Sequence, residues 1–370
     1  LIDVSVIHAF NGVPVHDCDE KVQQILSDLG FESMGDGERY IRGGVVDPMP
    51  RKKINRILFH HHSLHQKTRH ENETIALDHL DELRDDFALR GRCEMFRVDL
   101  KSMAAAHQLH QGTNLRGHLV WAKMPHFQKL LTIRNVQAPE EDEDILQFFG
   151  EHHDPAIFME RHAMRRGEFR KLISPLVRSG HLVQDYRGGF KAVEPLATSD
   201  LWEVKRDYLR DLVKDYPVIT LKQVERLAGS PFSAEEISDV MREFEEDDTL
   251  IKGFLVDDMH DVCWGRHDLL EGSDVLTKTR DLVIPPSDPL IHYYGSLLRE
   301  RFGYGSAYLV FHREEPVAAF KANTREGVIH ITDFVGDSDL EKEALRVMKE
   351  FAWEHDMPLK GKLYERLRSR

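Results

Sequence analysis

Cysteine is scarce in this chain, with only Cys18, Cys93 and Cys263 among 370 residues. The three are far apart, odd in number and without CxxC spacing, so the sequence predicts neither a disulfide framework nor a zinc site. Because unpaired thiols persist in a reducing compartment, we expect a cytoplasmic protein.

Long hydrophobic runs are also missing. No apolar stretch approaches the roughly 18 residues needed to span a bilayer, so we expect no membrane partner. The segment Leu1–Ala9 is too short, and with Asp3 too charged, for a signal peptide. Because the sequence begins with Leu1 and not Met, whether it is a fragment of a larger protein stays open.

An excess of positive charge is absent as well. Lys and Arg total 50 against 64 Asp and Glu, a formal net charge of −14. This balance excludes a strongly basic nucleic-acid binder, so contacts with phosphates would have to come from local patches. The phosphate-binding motif GxxxxGK[ST] does not occur, which argues against a motor and against a nucleotide cofactor.

The length of the chain is sufficient for two to three domains, and 41% hydrophobic residues leave material for several small cores. Breaks in composition divide it into five segments. These are an N-terminal extension (1–50), a first winged-helix region with a candidate site (51–140), a second winged helix (141–198), a third winged helix (199–275) and a C-terminal domain (276–370).

The second winged helix, residues 141–198, has the clearest sequence pattern. Helical spacing over Glu143–His152 and Glu168–Arg178, with a further helix opened by Pro155, precedes two short strands joined at Gly188-Gly189. Three helices and such a hairpin indicate a winged helix. Its third helix and its wing are both basic, which is typical of contact with DNA, and a merely solvated face is the alternative.

The segment 199–275 repeats this pattern, but its helix Ala234–Glu246 is acidic and would repel phosphate. We therefore expect this copy to pack against the other domains. The segment 276–370 contains three consecutive predicted strands and the amphipathic helix Asp339–His355. The expected fold class is α+β, with tandem winged-helix domains followed by a C-terminal β-barrel-like α/β domain. The N-terminal 1–50 is expected to form at most a partial winged unit.

The stretch Leu77–Trp121 contains the polar groups best suited to chemistry. Apolar spacing predicts a helix over Thr74–Ala88, followed later by an apolar strand over Leu115–Trp121. Most acids of the helix are expected on a solvated face. Asp81 lies beside the apolar stripe and is the acid expected to point into a cleft.

Histidines cluster in Arg51–His70, which contains six Lys and Arg residues and no acid. A metal centre is one interpretation, and a metallo-hydrolase would follow from it. Adjacent histidines point in different directions and no Cys or acid completes a known ligand spacing, so we expect no metal. The basic excess favours a phosphate-facing surface instead.

Four stretches, in order, resemble the AlkZ/YcaQ-type winged-helix DNA glycosylases, a family that also occurs at the end of long bacterial Lhr helicases. They cover about residues 50–340. The stretches are Arg51-Lys-Lys-Ile-Asn-Arg-Ile-Leu-Phe59, Leu115-Arg-Gly-His-Leu-Val120, Trp202–Ala228 and Leu282-Val-Ile-Pro-Pro-Ser-Asp-Pro-Leu290 with Arg301-Phe-Gly303.

The resemblance implies tandem winged helices, a β-barrel and excision of alkylated or bulky damaged bases from duplex DNA, with no metal or other cofactor. It places the catalytic carboxylate at Asp81, and His79 where the family has glutamine. By this resemblance a carboxylate stabilises a cationic sugar and orients or activates water. The departure at His79 keeps an alternative open: a non-catalytic DNA-binding module, either a transcription regulator or a helicase-associated part. Residues expected to contact nucleic acid are Arg116, His118, Arg165, Arg166, Arg170, Lys171, Arg187 and Lys191.

Overall fold

A computed structural model describes residues 31–33, 40–42, 48–65, 68–77, 80–94, 99–197, 200–247, 249–257, 261–271, 276 and 281–368. Most of the extension 1–50, expected to form a partial winged unit, lies outside the described residues, apart from the paired strands β1 (Phe31–Ser33) and β2 (Tyr40–Arg42). The candidate His79 also lies outside them. Every helix in the described ranges is too short or too polar to cross a bilayer.

The region that precedes residue 140 is mainly helical, with one hairpin. Its helices are α1 (Arg51–His61), α2 (Glu73–Leu77), α3 (Phe87–Arg92), α4 (Leu100–Ala106) and α5 (Met124–Arg134). Strands β3 (His110–Thr113) and β4 (Leu119–Ala122) pair antiparallel. Helix α5 ends where Asn135 adopts a left-handed conformation with φ of 50°, a common helix stop.

A short 3₁₀ turn, Glu140–Asp142, leads into three helices and a second hairpin. These are α6 (Glu143–Glu151), α7 (Pro155–Arg161), α8 (Arg166–Ser179), β5 (Leu182–Gln184) and β6 (Phe190–Ala192). Gly180, with φ of 89°, terminates α8. The order of these elements agrees with the sequence prediction. Strand β5 also pairs with β3, so the two hairpins form one four-stranded sheet in the order β4-β3-β5-β6.

The next region repeats the arrangement of helices before a small sheet. It comprises α9 (Leu201–Lys214), β7 (Val218–Thr220), α10 (Leu221–Ala228), α11 (Ala234–Glu246), β8 (Leu250–Gly253), β9 (Cys263–Arg266) and α12 (His267–Glu271). Reciprocal side-chain caps open two of these helices: Thr220 with Gln223 for α10, and Ser233 with Glu236 for α11. The strands pair in the order β7-β9-β8.

The C-terminal region is built on a five-stranded sheet, in the order β10-β11-β12-β13-β14. The elements are β10 (Leu282–Ile284), α13 (Leu290–Tyr293), α14 (Gly295–Phe302), β11 (Tyr308–His312), β12 (Glu315–Arg325), β13 (Val328–Gly336), the 3₁₀ turn Ser338–Leu340, α15 (Glu341–Glu354), β14 (Leu359–Lys360) and α16 (Lys362–Arg368). The predicted meander β11-β12-β13 is present. Shifts in strand register at Val310/Phe311 and Lys321/Ala322 bend the sheet.

One large apolar core joins most of these regions. It extends from Phe59 on α1 through Phe127 on α5 and Phe244 on α11 to Phe311 on β11. Residues 143–192 have in addition a core of their own, rich in phenylalanine. The described chain is therefore a mixed α+β structure in which α1, α5, α9 and α10 share a packed interior with the C-terminal sheet.

A buried ion pair connects α3 to the C-terminal region. The Arg92 guanidinium donates two hydrogen bonds to the Asp288 carboxylate, at 2.6 and 3.0 Å, and both side chains are almost fully buried. Two parallel hydrogen bonds of this kind fix orientation as well as distance. The pair therefore sets the position of Pro289, the residue that precedes α13.

Two sequence predictions near the candidate site are wrong. The predicted helix Thr74–Ala88 is interrupted, because α2 ends at Leu77 and α3 begins only at Phe87. Between them the backbone of Leu83 exchanges two hydrogen bonds with Trp121, which an α-helix would not permit. The predicted strand Leu115–Trp121 is also shorter, because Asn114–His118 forms a turn and β4 starts at Leu119.

Candidate functional site

A cavity of about 470 Å³ lies where the interrupted segment, α5 and α9 meet. This volume lies within the range of small-molecule sites, about 300–1,000 Å³. Its wall combines acids, bases and two tyrosines with apolar groups. The lining residues are His62, Leu80, Asp81, Glu82, Arg116, Lys123, Pro125, His126, Lys129, Tyr208, Asp211, Leu212, Asp215, Tyr216, Leu227 and Pro289.

The irregular segment 80–86 presents two consecutive acids to this cavity. The side chains of Leu80 and Leu83 are buried, and the backbone of Leu83 is bound to Trp121 by hydrogen bonds of 2.9 and 2.7 Å. Asp81 and Glu82 lie between these two anchored leucines. Two fixed apolar neighbours thus position both carboxylates without a helix.

The turn that joins β3 to β4 lies against this segment and contributes Arg116 to the wall. The buried Asn114 side chain accepts hydrogen bonds from the backbone N–H groups of Arg116, at 3.1 Å, and His118, at 2.9 Å. An asparagine that binds backbone N–H groups in this way stabilises a tight turn. Gly117 completes it with φ of 77°, a conformation that favours glycine. The turn places the Arg116 side chain at the cavity.

Glu82 is the most highly coordinated acid of the cavity. Its carboxylate accepts a hydrogen bond of 2.7 Å from Asn114 and one of 3.0 Å from His126, and it lies 3.7 Å from the Arg116 guanidinium. Burial alone would raise its pKa, but His126, Arg116 and Asn114 together hold the pKa of Glu82 below its usual value. Glu82 therefore fixes the turn to the wall of the cavity as a stable anion.

Asp81 differs from its neighbour in being exposed at the cavity. Within the described part of the chain no hydrogen bond or ion pair engages its carboxylate. Its negative charge contributes to raising the pKa of both Tyr208 and Asp215, so it acts electrostatically on groups across the cavity. The expected position of Asp81 in a cleft agrees with this geometry.

Another part of the wall comes from α9 and the residues after it. Tyr216 is buried and stacks on Tyr293, with ring centroids 5.0 Å apart, and the His62 ring lies tilted to it at 5.7 Å. Asp215 reaches solvent at the mouth of the cavity, yet the surrounding protein and the charges of Asp81 and Asp211 raise its pKa to about 7. The cavity thus places two aromatic rings beside several carboxylates, and the pKa of one of them, Asp215, is raised.

The structure brings only some of the predicted nucleic-acid contacts to this cavity. Arg116 lines it, and His118 lies beside it in the same turn. The others lie away from it on the helix–hairpin unit 143–192, mostly exposed. They are Arg165 and Arg166 at the start of α8, Arg170 and Lys171 within α8, Arg187 in the β5–β6 turn, and Lys191 on β6.

Several site residues were not predicted from the sequence. Glu82 was assigned to a solvated helix face. Tyr208 was noted only as part of the family-like stretch Trp202–Ala228, and Asp215 and His126 were not singled out. The pair Glu82 and Asn114 gives no local signal, because it depends on a contact across 32 positions. The glycine-containing turn sequence Asn114-Leu-Arg-Gly117 was the available indication that Arg116 lies in a turn and not in a strand.

The histidine-rich stretch does not converge on a ligand set. The His60 and His65 rings stack with centroids 4.1 Å apart, and the His62 ring contacts the Asp215 backbone carbonyl at 2.8 Å. Across the described ranges, no three His, Cys, Asp or Glu side chains are grouped to bind a metal ion.

The solved structure of the Streptomyces sahachiroi DNA glycosylase AlkZ is similar to this chain. The two share 11% sequence identity with a TM-score of 0.62, over 85% of this chain and 100% of AlkZ. No protein-family model matches the sequence, and no curated protein matches it. The resemblance inferred from the four sequence motifs is thus confirmed at the level of the fold.

Proposed function

We propose that this protein binds damaged duplex DNA and hydrolyses the N-glycosyl bond of an alkylated or bulky base. The observation that carries the proposal is Asp81, an exposed carboxylate on the wall of a cavity lined by Tyr208 and Tyr216. The similar fold of the DNA glycosylase AlkZ supports it. An extruded base would enter the cavity and contact the aromatic wall.

Hydrolysis breaks the bond between the sugar C1′ and the base nitrogen, and the bonding electrons leave with the base. Water supplies the oxygen that bonds to C1′, and one of its protons ends on the departing base or on solvent. Positive charge develops on the sugar during this step. In the proposal the Asp81 carboxylate stabilises that charge and orients the attacking water.

Glu82 has a different role in this proposal. Its charge is already engaged by His126, Asn114 and Arg116, so it is less available to the sugar than Asp81. We assign Glu82 as a positioning residue that keeps the Asn114–His118 turn against the cavity.

The unit 143–192 supplies the principal DNA-binding surface in this proposal. Its three helices and hairpin are interpreted as a winged helix, with α8 as recognition helix and β5–β6 as wing. The exposed Arg170 and Lys171 on α8 and Arg187 in the wing would contact phosphates, which makes binding sensitive to salt. The acidic α11 instead packs on α9 and α10 through its apolar face.

A non-catalytic DNA-binding module is the second candidate function, and the histidine at position 79, where the resembled family has glutamine, favours it. Both functions predict salt-dependent DNA binding. Only the enzyme predicts loss of a base.

Excision of an N7- or N3-alkylated purine from a duplex oligonucleotide tests the proposal. The wild type should produce abasic sites, and Asp81→Asn should reduce the rate by about 10²–10⁴-fold, as for loss of a catalytic acid or base. Asp211→Asn is the matched control, because Asp211 also lines the cavity but is paired with Lys129. DNA binding without release by the wild type would support the non-catalytic module, and full activity of Asp81→Asn would exclude Asp81 from catalysis.

A further inference from the structure

A group of four basic side chains adjoins the cavity on the side of Arg116. The imidazole rings of His118 and His292 stack almost in parallel, with centroids 6.0 Å apart and planes inclined by 15°. His118 comes from the β3–β4 turn and His292 from α13, 174 positions later in the sequence. The fold therefore brings the imidazole rings of two distant segments face to face.

Positive charge surrounds this pair of rings. Burial, followed by the charges of Arg116, His118 and Arg84, lowers the pKa of His292 to about 3. Burial and the same two arginines lower the pKa of His118. Glu82 acts on both rings in the opposite sense, and its carboxylate also contacts His126, Asn114 and Arg116.

The cluster is accessible to a ligand from solvent. Arg84 is exposed and donates one hydrogen bond of 3.3 Å to the Pro286 carbonyl, which leaves most of its guanidinium donors for other partners. Both imidazoles are half-buried. Four basic groups at an open surface, of which Glu82 compensates Arg116, are complementary to an anion with several acceptor oxygens.

We propose that Arg84, Arg116, His118 and His292 bind a backbone phosphate of the nucleotide whose base occupies the cavity. This inference rests on the proposed function for the identity of the ligand. Arg116 contributes both to the cavity wall and to the cluster, so a phosphate that it binds lies next to the cavity. Arg84 and His292 thereby acquire a role in fixing the target nucleotide.

The first test is a double-mutant cycle between protein and DNA. A duplex with a tetrahydrofuran abasic analogue is compared with duplexes that carry one uncharged methylphosphonate immediately 5′ or 3′ of it. The wild type should bind one of the two methylphosphonate duplexes about tenfold more weakly than the duplex with normal linkages. Arg84→Gln and His292→Gln should bind the duplex with normal linkages about tenfold more weakly than the wild type does. Their affinity should not change further when the methylphosphonate replaces that phosphate. Arg242→Gln on α11 is the control, an exposed arginine away from the cluster.

Equal affinity of the wild type for all three duplexes would overturn the phosphate site, as would full sensitivity to the substitution in both variants. The neutral linkage changes only the DNA, so this arm does not depend on whether the variants fold. This test measures binding and not excision. A wild type that distinguishes the duplexes but releases no base in the excision assay would overturn the proposed enzyme and support the phosphate site.

The second test uses inorganic phosphate and the histidine ring resonances in NMR spectra. A bound phosphate adds negative charge beside Arg84, Arg116, Glu82 and the two rings, and it should raise the pKa of both His118 and His292. Histidine pKa values that are unchanged at saturating phosphate, or equal shifts in Arg84→Gln and the wild type, would contradict the assignment.

Discussion

Replacing Glu82 with glutamine tests the electrostatic framework of the site. The variant keeps the size of the side chain but loses the charge that faces His126, Asn114 and Arg116. Hydrogen bonds to charged groups contribute about 1.5–3 kcal/mol each, and glutamine retains one acceptor oxygen. We therefore expect Glu82→Gln to lower the free energy of unfolding by about 1.5–3 kcal/mol at pH 7.5.

The pH dependence of this loss gives the test its specificity. The folded protein lowers the pKa of Glu82 from 4.5, so its stabilising contribution is fully present above pH 4.5 and disappears as pH falls through the lowered value. Urea unfolding of Glu82→Gln and the wild type should therefore show a difference that is constant at neutral pH and decreases in acid. Asp211→Asn, exposed at the same cavity, should change stability little. A difference for Glu82→Gln that is absent at pH 7.5, or independent of pH, would refute the reasoning.

Two further predictions concern the surface and the mouth of the cavity. Replacing Arg170 and Lys171 together with glutamine should reduce the slope of log affinity against log salt concentration by about 1.8, because each phosphate contact contributes roughly 0.9; an unchanged slope in DNA titrations would exclude α8 from the interface. The pKa of Asp215 is raised from 3.8 to about 7, so the stability linked to it is fully present below pH 3.8 and is lost as pH rises through 7. Asp215→Asn should therefore gain stability relative to the wild type between pH 5 and pH 8 in urea unfolding, and a gain that does not change with pH would contradict this.

The sequence predicted regular elements well where local periodicity determines them. The helices and hairpin of 143–192, the capped helix Ala234–Glu246 and the strands β11 to β13 follow from apolar spacing, caps and turn residues. These signals are local, so they do not depend on which distant segment an element contacts.

Prediction failed where a long-range contact overrides local preference. The stretch Thr74–Ala88 has helical spacing, but the backbone of Leu83 pairs with Trp121 and interrupts the helix. The same contact moves Glu82 from a solvated surface to a half-buried ion pair with Arg116. Asp81 was expected to face a cleft because it adjoins the apolar stripe, whereas Asp215 and Tyr208 reach the cavity only through the packing of α9 on α5.

Single-turnover excision by wild type and Asp81→Asn, measured on alkylated duplex with protein in excess, tests the central claim most directly. Binding of the same duplex is measured in parallel, so that loss of chemistry is separated from loss of affinity. We expect both proteins to bind with similar affinity, and only the wild type to release the base at an appreciable rate. Equal release rates, or no release by the wild type when it is fully bound to DNA, would contradict the assignment of this cavity as a glycosylase active site.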